Sequence, residues 1–122
     1  MIQPVYVTFE QAKWLKEKGF DSITIFMYGN QNIPQLEKYN EAKYNLYDDY
    51  YLAPEQWQVV EWLRVNYGTF VVPFPELLNG VQVKYYPSIF IDGIGEDIEQ
   101  YFDIPQEAYS AAFDYIMNNQ LI

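Results

Sequence analysis

Between Val81 and Asp92 the side chains alternate in character at every step. Val81, Val83, Tyr85, Ile89 and Ile91 share one phase, while Gln82, Lys84, Tyr86, Ser88, Phe90 and Asp92 share the other. A period of two places the phases on opposite faces of a strand. The first face is aliphatic and has to be covered, so the rest of the chain must supply a second layer. Pro87 removes a ladder N–H inside this run, which predicts an edge strand or a bulge.

The covering layer is helical. Thr8-Phe9-Glu10-Gln11 has the form of a capping box, with Thr8 as cap and Gln11 at its third position. Phe9, Ala12 and Leu15 form the apolar stripe, and Gly19 supplies a left-handed stop. A second helix is predicted from Pro54, in the favoured first turn, to about Tyr67, with Gly68 as its stop. Its apolar residues Trp57, Val59, Val60, Trp62 and Leu63 cover more than one face, which marks it as the central, most buried helix. A third runs from near Pro105 to about Asn118, capped by Asp103 or Ile104. There Ala108, Ala111, Ala112 and Tyr115 lie on one side, and the alanines imply close approach to a neighbour.

Further strands fall between the helices. In Ser22–Tyr28, Ile23, Ile25 and Met27 point one way, and Ser22, Thr24, Phe26 and Tyr28 the other. Thr69–Val72 is short and β-branched, ended by Pro73 and Pro75, and Glu99–Phe102 offers a fourth strand. Asn30–Leu52 reads as a long irregular segment, and such length marks either function or an unrecognised element. This order predicts an α+β fold: a small antiparallel sheet of three to four strands, with about three helices packed mainly on one face. Residues 1–122 fit a single domain.

Composition removes whole classes of chemistry. The chain has no His and no Cys, hence no Ser-His-Asp triad, thiolate nucleophile, disulfide or ordinary zinc site. Its formal net charge is −10, and residues 44–122 hold all of that excess, with Arg64 and Lys84 against twelve acids. No large basic surface exists for direct nucleic-acid binding, and an anionic membrane surface is disfavoured. No stretch approaches the ~20 apolar residues of a membrane span. Met1-Ile2-Gln3-Pro4 lacks the start of a signal peptide, so a cytoplasmic location is expected.

The remaining catalytic currency is carboxylate. Glu96, Asp97 and Glu99 follow Gly93 and Gly95, and an acidic turn there could hold Mg²⁺ or Ca²⁺ through oxygen ligands. The spacing is not that of an EF-hand, and a solvated turn is the simpler reading. Asp48 and Asp49 are adjacent, so on extended chain they face opposite ways and share neither proton nor metal. Gly93-Ile94-Gly95 lacks the third glycine and following helix of a dinucleotide fingerprint. No catalytic residue, cofactor or metal site is expected.

The aromatic residues say more. Tyr44, Tyr47, Tyr50 and Tyr51 crowd around Asp48 and Asp49, and tyrosine suits interfaces because it offers area and a hydrogen bond together. Phe26, Tyr28, Tyr86 and Phe90 lie in strand phases opposite to the aliphatic ones. On a single sheet they would gather on one face as an aromatic patch. Its cover is expected to be a protein partner, a second copy of the chain or, in slight preference, the Asn30–Leu52 loop folded across it, and with that loop the exposed edge of the two is the expected binding surface.

One wider pattern emerges. Val7-Thr8-Phe9-Glu10-Gln11-Ala12-Lys13 leads through Leu15 to Lys18-Gly19-Phe20-Asp21. Tyr51-Leu52-Ala53-Pro54 is followed by Trp57, Val60 and Trp62-Leu63-Arg64. Near the end come Phe102, Pro105-Gln106-Glu107-Ala108-Tyr109, Ala112 and Tyr115-Ile116. Together these resemble small acidic proteins encoded by tailed phages and prophages of Bacteroidetes-type bacteria. The shared residues are caps, core apolars and helix starts, so no functional residue carries over. The resemblance implies an accessory protein of a mobile element in a bacterial cytoplasm.

The expectation is therefore a non-enzymatic interaction protein that binds a host or phage protein, as a monomer or small homo-oligomer. Its expected binding residues are Tyr44, Tyr47, Asp48, Asp49 and Tyr50, with Phe26, Tyr28, Tyr86 and Phe90. One alternative is an acidic DNA mimic that inhibits a nucleic-acid-binding enzyme, although the second and third helices carry few acids. Another is a small-ligand or divalent-cation module on Glu96, Asp97 and Glu99.

Overall fold

The computed structural model describes residues 5–29 and 34–122. In chain order its elements are α1 (Phe9–Glu17), β1 (Phe26–Gly29), β2 (Leu36–Lys38), α2 (Glu41–Leu46), β3 (Tyr50–Ala53), α3 (Gln56–Tyr67), β4 (Thr69–Leu78), β5 (Gln82–Ile91), β6 (Ile94–Asp97) and α4 (Pro105–Asn118). The fold is α+β, with two antiparallel three-stranded sheets ordered β2-β1-β3 and β4-β5-β6. The strands therefore form two small sheets where the sequence pattern led us to expect one. The chain divides into two compact units, Met1–Gln58 and Val59–Ile122, with the boundary inside α3. The signal-peptide reading of residues 1–4, and the first four residues of the expected loop, fall outside the described residues.

In the first unit the capping box forms as its residues dictate. The Gln11 amide donates to Thr8 Oγ1 at 3.2 Å, and the Thr8 amide donates to Gln11 Oε1 at 3.0 Å. Gly19 adopts φ 88°, the left-handed stop. The helix buries Gln11, Ala12, Trp14 and Leu15 and packs on β3. The next strand starts four residues later than its alternation indicated. Ile23 is 90% exposed and Ile25 62%, whereas Thr24 is buried. The Thr24 hydroxyl donates to the Phe26 carbonyl at 2.9 Å, a local bond that competes with the ladder and delays pairing. From Phe26 on, the alternation holds, with Met27 fully buried.

The segment expected to be irregular carries two strands and a helix. Asn40 caps α2 by accepting from the Lys43 amide at 3.0 Å. β2 and β3 flank β1 as its two edges, placing Met27 opposite Glu37 and Leu52. Pro54 falls two residues short of α3. Residues 5–7 hold it extended: the Val7 amide donates to Pro54 O at 3.1 Å and the Gln56 amide to Val5 O at 2.9 Å. Nor is α3 buried all round. Val59 and Leu63 are fully buried and Gln56 nearly so, one stripe at helical spacing, while Trp57 is 62% exposed. Gly68, at φ 60°, ends it.

In the second unit β4 runs straight through the two prolines expected to stop it. Pro73 lies opposite Pro87, and Pro75 opposite Tyr85. At these positions β5 turns its backbone groups away from β4. Pro87 O accepts from the Ile98 amide at 2.9 Å, and Tyr85 exchanges two 2.8 Å bonds with Phe102. The missing N–H groups of Pro73 and Pro75 thus point to the outer edge of an edge strand, where proline costs nothing in the ladder. Pro87 sits in the central strand of its sheet with neither the edge position nor the bulge that its presence led us to expect: its missing N–H faces Ile98, just past the end of β6, whose carbonyl accepts from the Gln100 amide at 2.8 Å instead.

Tight turns join these strands. Asn79 and Gly80 have φ 55° and 71°, Asp92 and Gly93 52° and 79°. Two successive positive φ values are what a type I′ hairpin turn requires. Residues 94–97 are thereby drawn into β6, and the expected strand at Glu99–Phe102 shrinks to the Tyr85–Phe102 bridge. α4 occupies the span read from its sequence, with Ile104 as cap position and Pro105 in the first turn. Ala108, Ala112, Phe113 and Ile116 are its fully buried residues.

Candidate functional site

The second sheet has two unlike faces. Register puts Val71, Pro73, Pro75, Val83, Tyr85, Pro87, Ile89 and Ile91 on one of them. α4 packs on β4 and β5, and Val71, Pro87 and Ile89 are buried there. The other face carries Phe70, Val72, Phe74 and Glu76 from β4, Lys84, Tyr86, Ser88 and Phe90 from β5, and Gly95 and Asp97 from β6. Here Phe70 is 49% exposed and Phe74 38%.

The open face is an ordered aromatic floor. Phe74 stacks on Tyr86 with centroids 5.8 Å apart and meets Phe90 edge-on at 6.4 Å. Phe90 lies over Gly95, where an added Cβ would come within 2.7 Å of the ring, so the glycine makes room for it. Beyond β6 the chain passes Tyr101 back across the sheet. Its ring meets Tyr86 edge-on at 5.9 Å and its hydroxyl donates to Glu76. That hydrogen bond, first among several causes, raises the Tyr101 pKa. Ser88 Oγ donates to Asp97 Oδ1 at 2.6 Å, while Lys84, opposite Glu76, pairs with Asp103.

The expected site residues distribute over both units. Tyr86 and Phe90 belong to this floor. Phe26 and Tyr28 do not share it, because they sit on β1 of the first sheet. The expected four-ring patch is therefore divided between two sheets. The first pair is lined by residues before and within α1: Tyr6 meets Phe26 edge-on at 5.1 Å, Phe9 packs 5.7 Å from Tyr28, and the Tyr28 hydroxyl donates to Val7 O at 2.7 Å. The expected cover, the Asn30–Leu52 segment, instead contributes the flanking strands.

The tyrosines around Asp48 and Asp49 gather on an unforeseen residue, Lys16. Its ammonium donates to Asp48 O at 3.1 Å and Tyr50 O at 2.9 Å, and lies 5.0 Å from the Tyr44 ring centroid and 5.1 Å from that of Tyr51. Tyr47 packs on Tyr50 at 6.0 Å, and the carboxylates of Asp48 and Asp49 are exposed in the turn before β3. Lys16 thus occupies the middle of this group, while Tyr47, Asp48 and Asp49 stay exposed at its surface.

Glu96 and Asp97 are neighbours on a strand, so they leave from opposite faces. Glu96 accepts from the Tyr115 hydroxyl on the α4 side, and Asp97 from Ser88 on the open side. With Glu99 they make no ligand set, and among the described residues no group of three acids, His or Cys is placed to hold a metal ion. Among the same residues no helix is long and apolar enough to cross a membrane.

No family model, curated protein or solved structure matches this chain. Phe70, Phe74, Tyr101 and Glu76 are the residues that sequence reasoning missed on the open face. Phe70, Val72 and Phe74 do alternate once prolines are allowed on an outer edge, so part of the signal was present.

Burial raises the pKa of Tyr28 and, with Tyr39 and Asp21 adding to it, that of Tyr44. A folded-state pKa above the unfolded value means that this share of stability is complete below the ordinary tyrosine value of about 10 and is lost as pH rises beyond it. The melting temperature is expected to fall through alkaline pH above that value. Tyr44→Phe should flatten the fall; an equal slope in the variant would show that Tyr44 does not contribute.

Proposed function

We propose that this chain is a non-enzymatic binding protein whose docking surface is the open aromatic face of the second sheet. The observation that carries this reading is the half-exposure of Phe70 and Phe74 on a face whose opposite side is buried under α4. An exposed apolar patch with a polar rim is the usual mark of a contact site. The rim is acidic, and residues 59–122 carry nine acids against Arg64 and Lys84. A protein partner with a basic contact surface complements it. The resemblance to phage and prophage proteins favours a partner from a bacterial cell. The DNA-mimic alternative draws less support, since on α3 Glu61 is held by both Nε and Nη2 of Arg64.

The test compares wild type with Phe70→Ser/Phe74→Ser as baits for affinity capture from cells that normally make the protein. The expected result is a protein retained by wild type, lost by the variant and bound again directly by purified wild type. The variant should keep its cooperative melting transition, and Phe70→Ser alone should weaken binding without altering it. A partner held equally by both baits would overturn the assignment of this face.

A further inference from the structure

At one end the aromatic floor deepens into a cavity of about 450 Å³ lined by Glu76, Tyr86, Asp97, Ile98, Glu99 and Tyr101. Volumes of ~300–1,000 Å³ are typical of sites that hold a side chain or small ligand. β6 stops at Asp97, yet the chain keeps along β5 to reach Phe102, so residues 98–101 leave a gap beside the strand. Tyr101 closes that gap from above by reaching Glu76 on β4.

The lining has two parts. Tyr86 and Tyr101 stand nearly perpendicular, at 78°, which presents one ring face and one ring edge to the space between. Ring faces attract cations, arginine most often. The carboxylates supply the rest: Asp97 and Glu76 each accept one hydroxyl, and Glu99 reaches the same space. None of the three is in an ion pair among the described residues. The nearest cation by register, Lys84, is turned to Asp103. A ring wall beside uncompensated carboxylates is complementary to a flat cation with many N–H donors, and guanidinium is that group among side chains.

We infer that this cavity receives the guanidinium of an arginine side chain from a protein partner docked on the aromatic face. The inference rests on the docking reading above and names the partner's anchor. The guanidinium lies against Tyr86 or Tyr101 and donates to Glu99 and Asp97. Phe70 and Phe74 take the apolar residues that flank the arginine.

The probe is N-acetyl-arginine methylamide, titrated into the full ¹⁵N-labelled chain and followed by amide chemical shifts. Saturable shifts are expected at residues 97–101 and at Tyr86. Glu99→Gln should weaken binding several-fold and Tyr101→Leu at least tenfold, while Tyr101→Phe, which keeps the ring, should stay within a few-fold of wild type. N-acetyl-lysine methylamide should bind more weakly than the arginine probe, and N-acetyl-glutamate methylamide should cause no saturable shift. Absence of saturable shifts, shifts unaltered by Tyr101→Leu, or equal binding of the lysine probe would overturn the inference. So would shifts at the same residues that grow with protein concentration alone, since a second copy would then occupy the face. Phe70→Ser/Phe74→Ser separates the two proposals. It should leave the arginine probe bound while abolishing partner capture; capture that survives in this variant overturns the docking reading, whereas a wild-type chain that captures its partner yet binds no arginine probe overturns this inference alone.

Discussion

Phe113→Ala is expected to destabilise the second unit by about 3–5 kcal/mol, the range for truncating a buried aromatic in a core that cannot collapse. Phe113 is fully buried: its relative accessibility is 0%, as is that of Ala108, Ala112 and Ile116 on the same helix. The two alanines bring the helix close to β4 and β5, so the ring fills space that no smaller side chain nearby can occupy. Urea denaturation of the variant against wild type measures the loss. Leu63→Ala should follow at about 2–5 kcal/mol, whereas Trp62, only half-buried, should cost less despite its size. A Phe113→Ala protein within about 1 kcal/mol of wild type would show that α4 does not anchor this sheet.

The sequence pattern showed a good deal of this arrangement, and it failed where a residue's meaning depended on its edge or its distant partner. α1 and α4 were legible because their signals are local: Thr8 and Gln11 are three residues apart, and Pro105 presets its own φ. Ala108 and Ala112 revealed the packed side of α4, but Phe113 belongs to that side only through the width of the buried stripe. The prolines misled for a physical reason. Whether Pro73 breaks a strand depends on which way its missing N–H would point, and the register to Pro87 decides that. Asn79-Gly80 and Asp92-Gly93 were readable hairpin signals. Taken with the alternation around them, they mark β4-β5-β6 as a meander and place Glu96 and Asp97 on a strand. Tyr101 was beyond reach, because its role arises from the chain's return past the end of β6.

Lys16 is the clearest case of a role fixed by residues far along the chain, and Lys16→Met is expected to cost about 2 kcal/mol. The methionine keeps the apolar stem and removes the charge, so the loss isolates the ammonium. That group donates to the carbonyls of Asp48 and Tyr50 and lies near the rings of Tyr44 and Tyr51. Hydrogen bonds involving a charged group contribute ~1.5–3 kcal/mol each, and an exposed cation–π contact ~0.5–1 kcal/mol. The Asp48 bond is exposed and the Tyr50 bond only part-buried, which brings the sum down to the stated figure. The consequence is local as well as global. α1 packs on β3, and Lys16 ties its last turn to the segment entering that strand. Amide exchange at residues 47–51 should therefore quicken more than exchange within α1. Pairing Lys16→Met with Tyr44→Leu in a double-mutant cycle should return a coupling of about 0.5–1 kcal/mol. Zero coupling with unchanged exchange would mean that the four groups meet without holding each other. The tyrosines around Asp48 and Asp49 would then need another reason for being there.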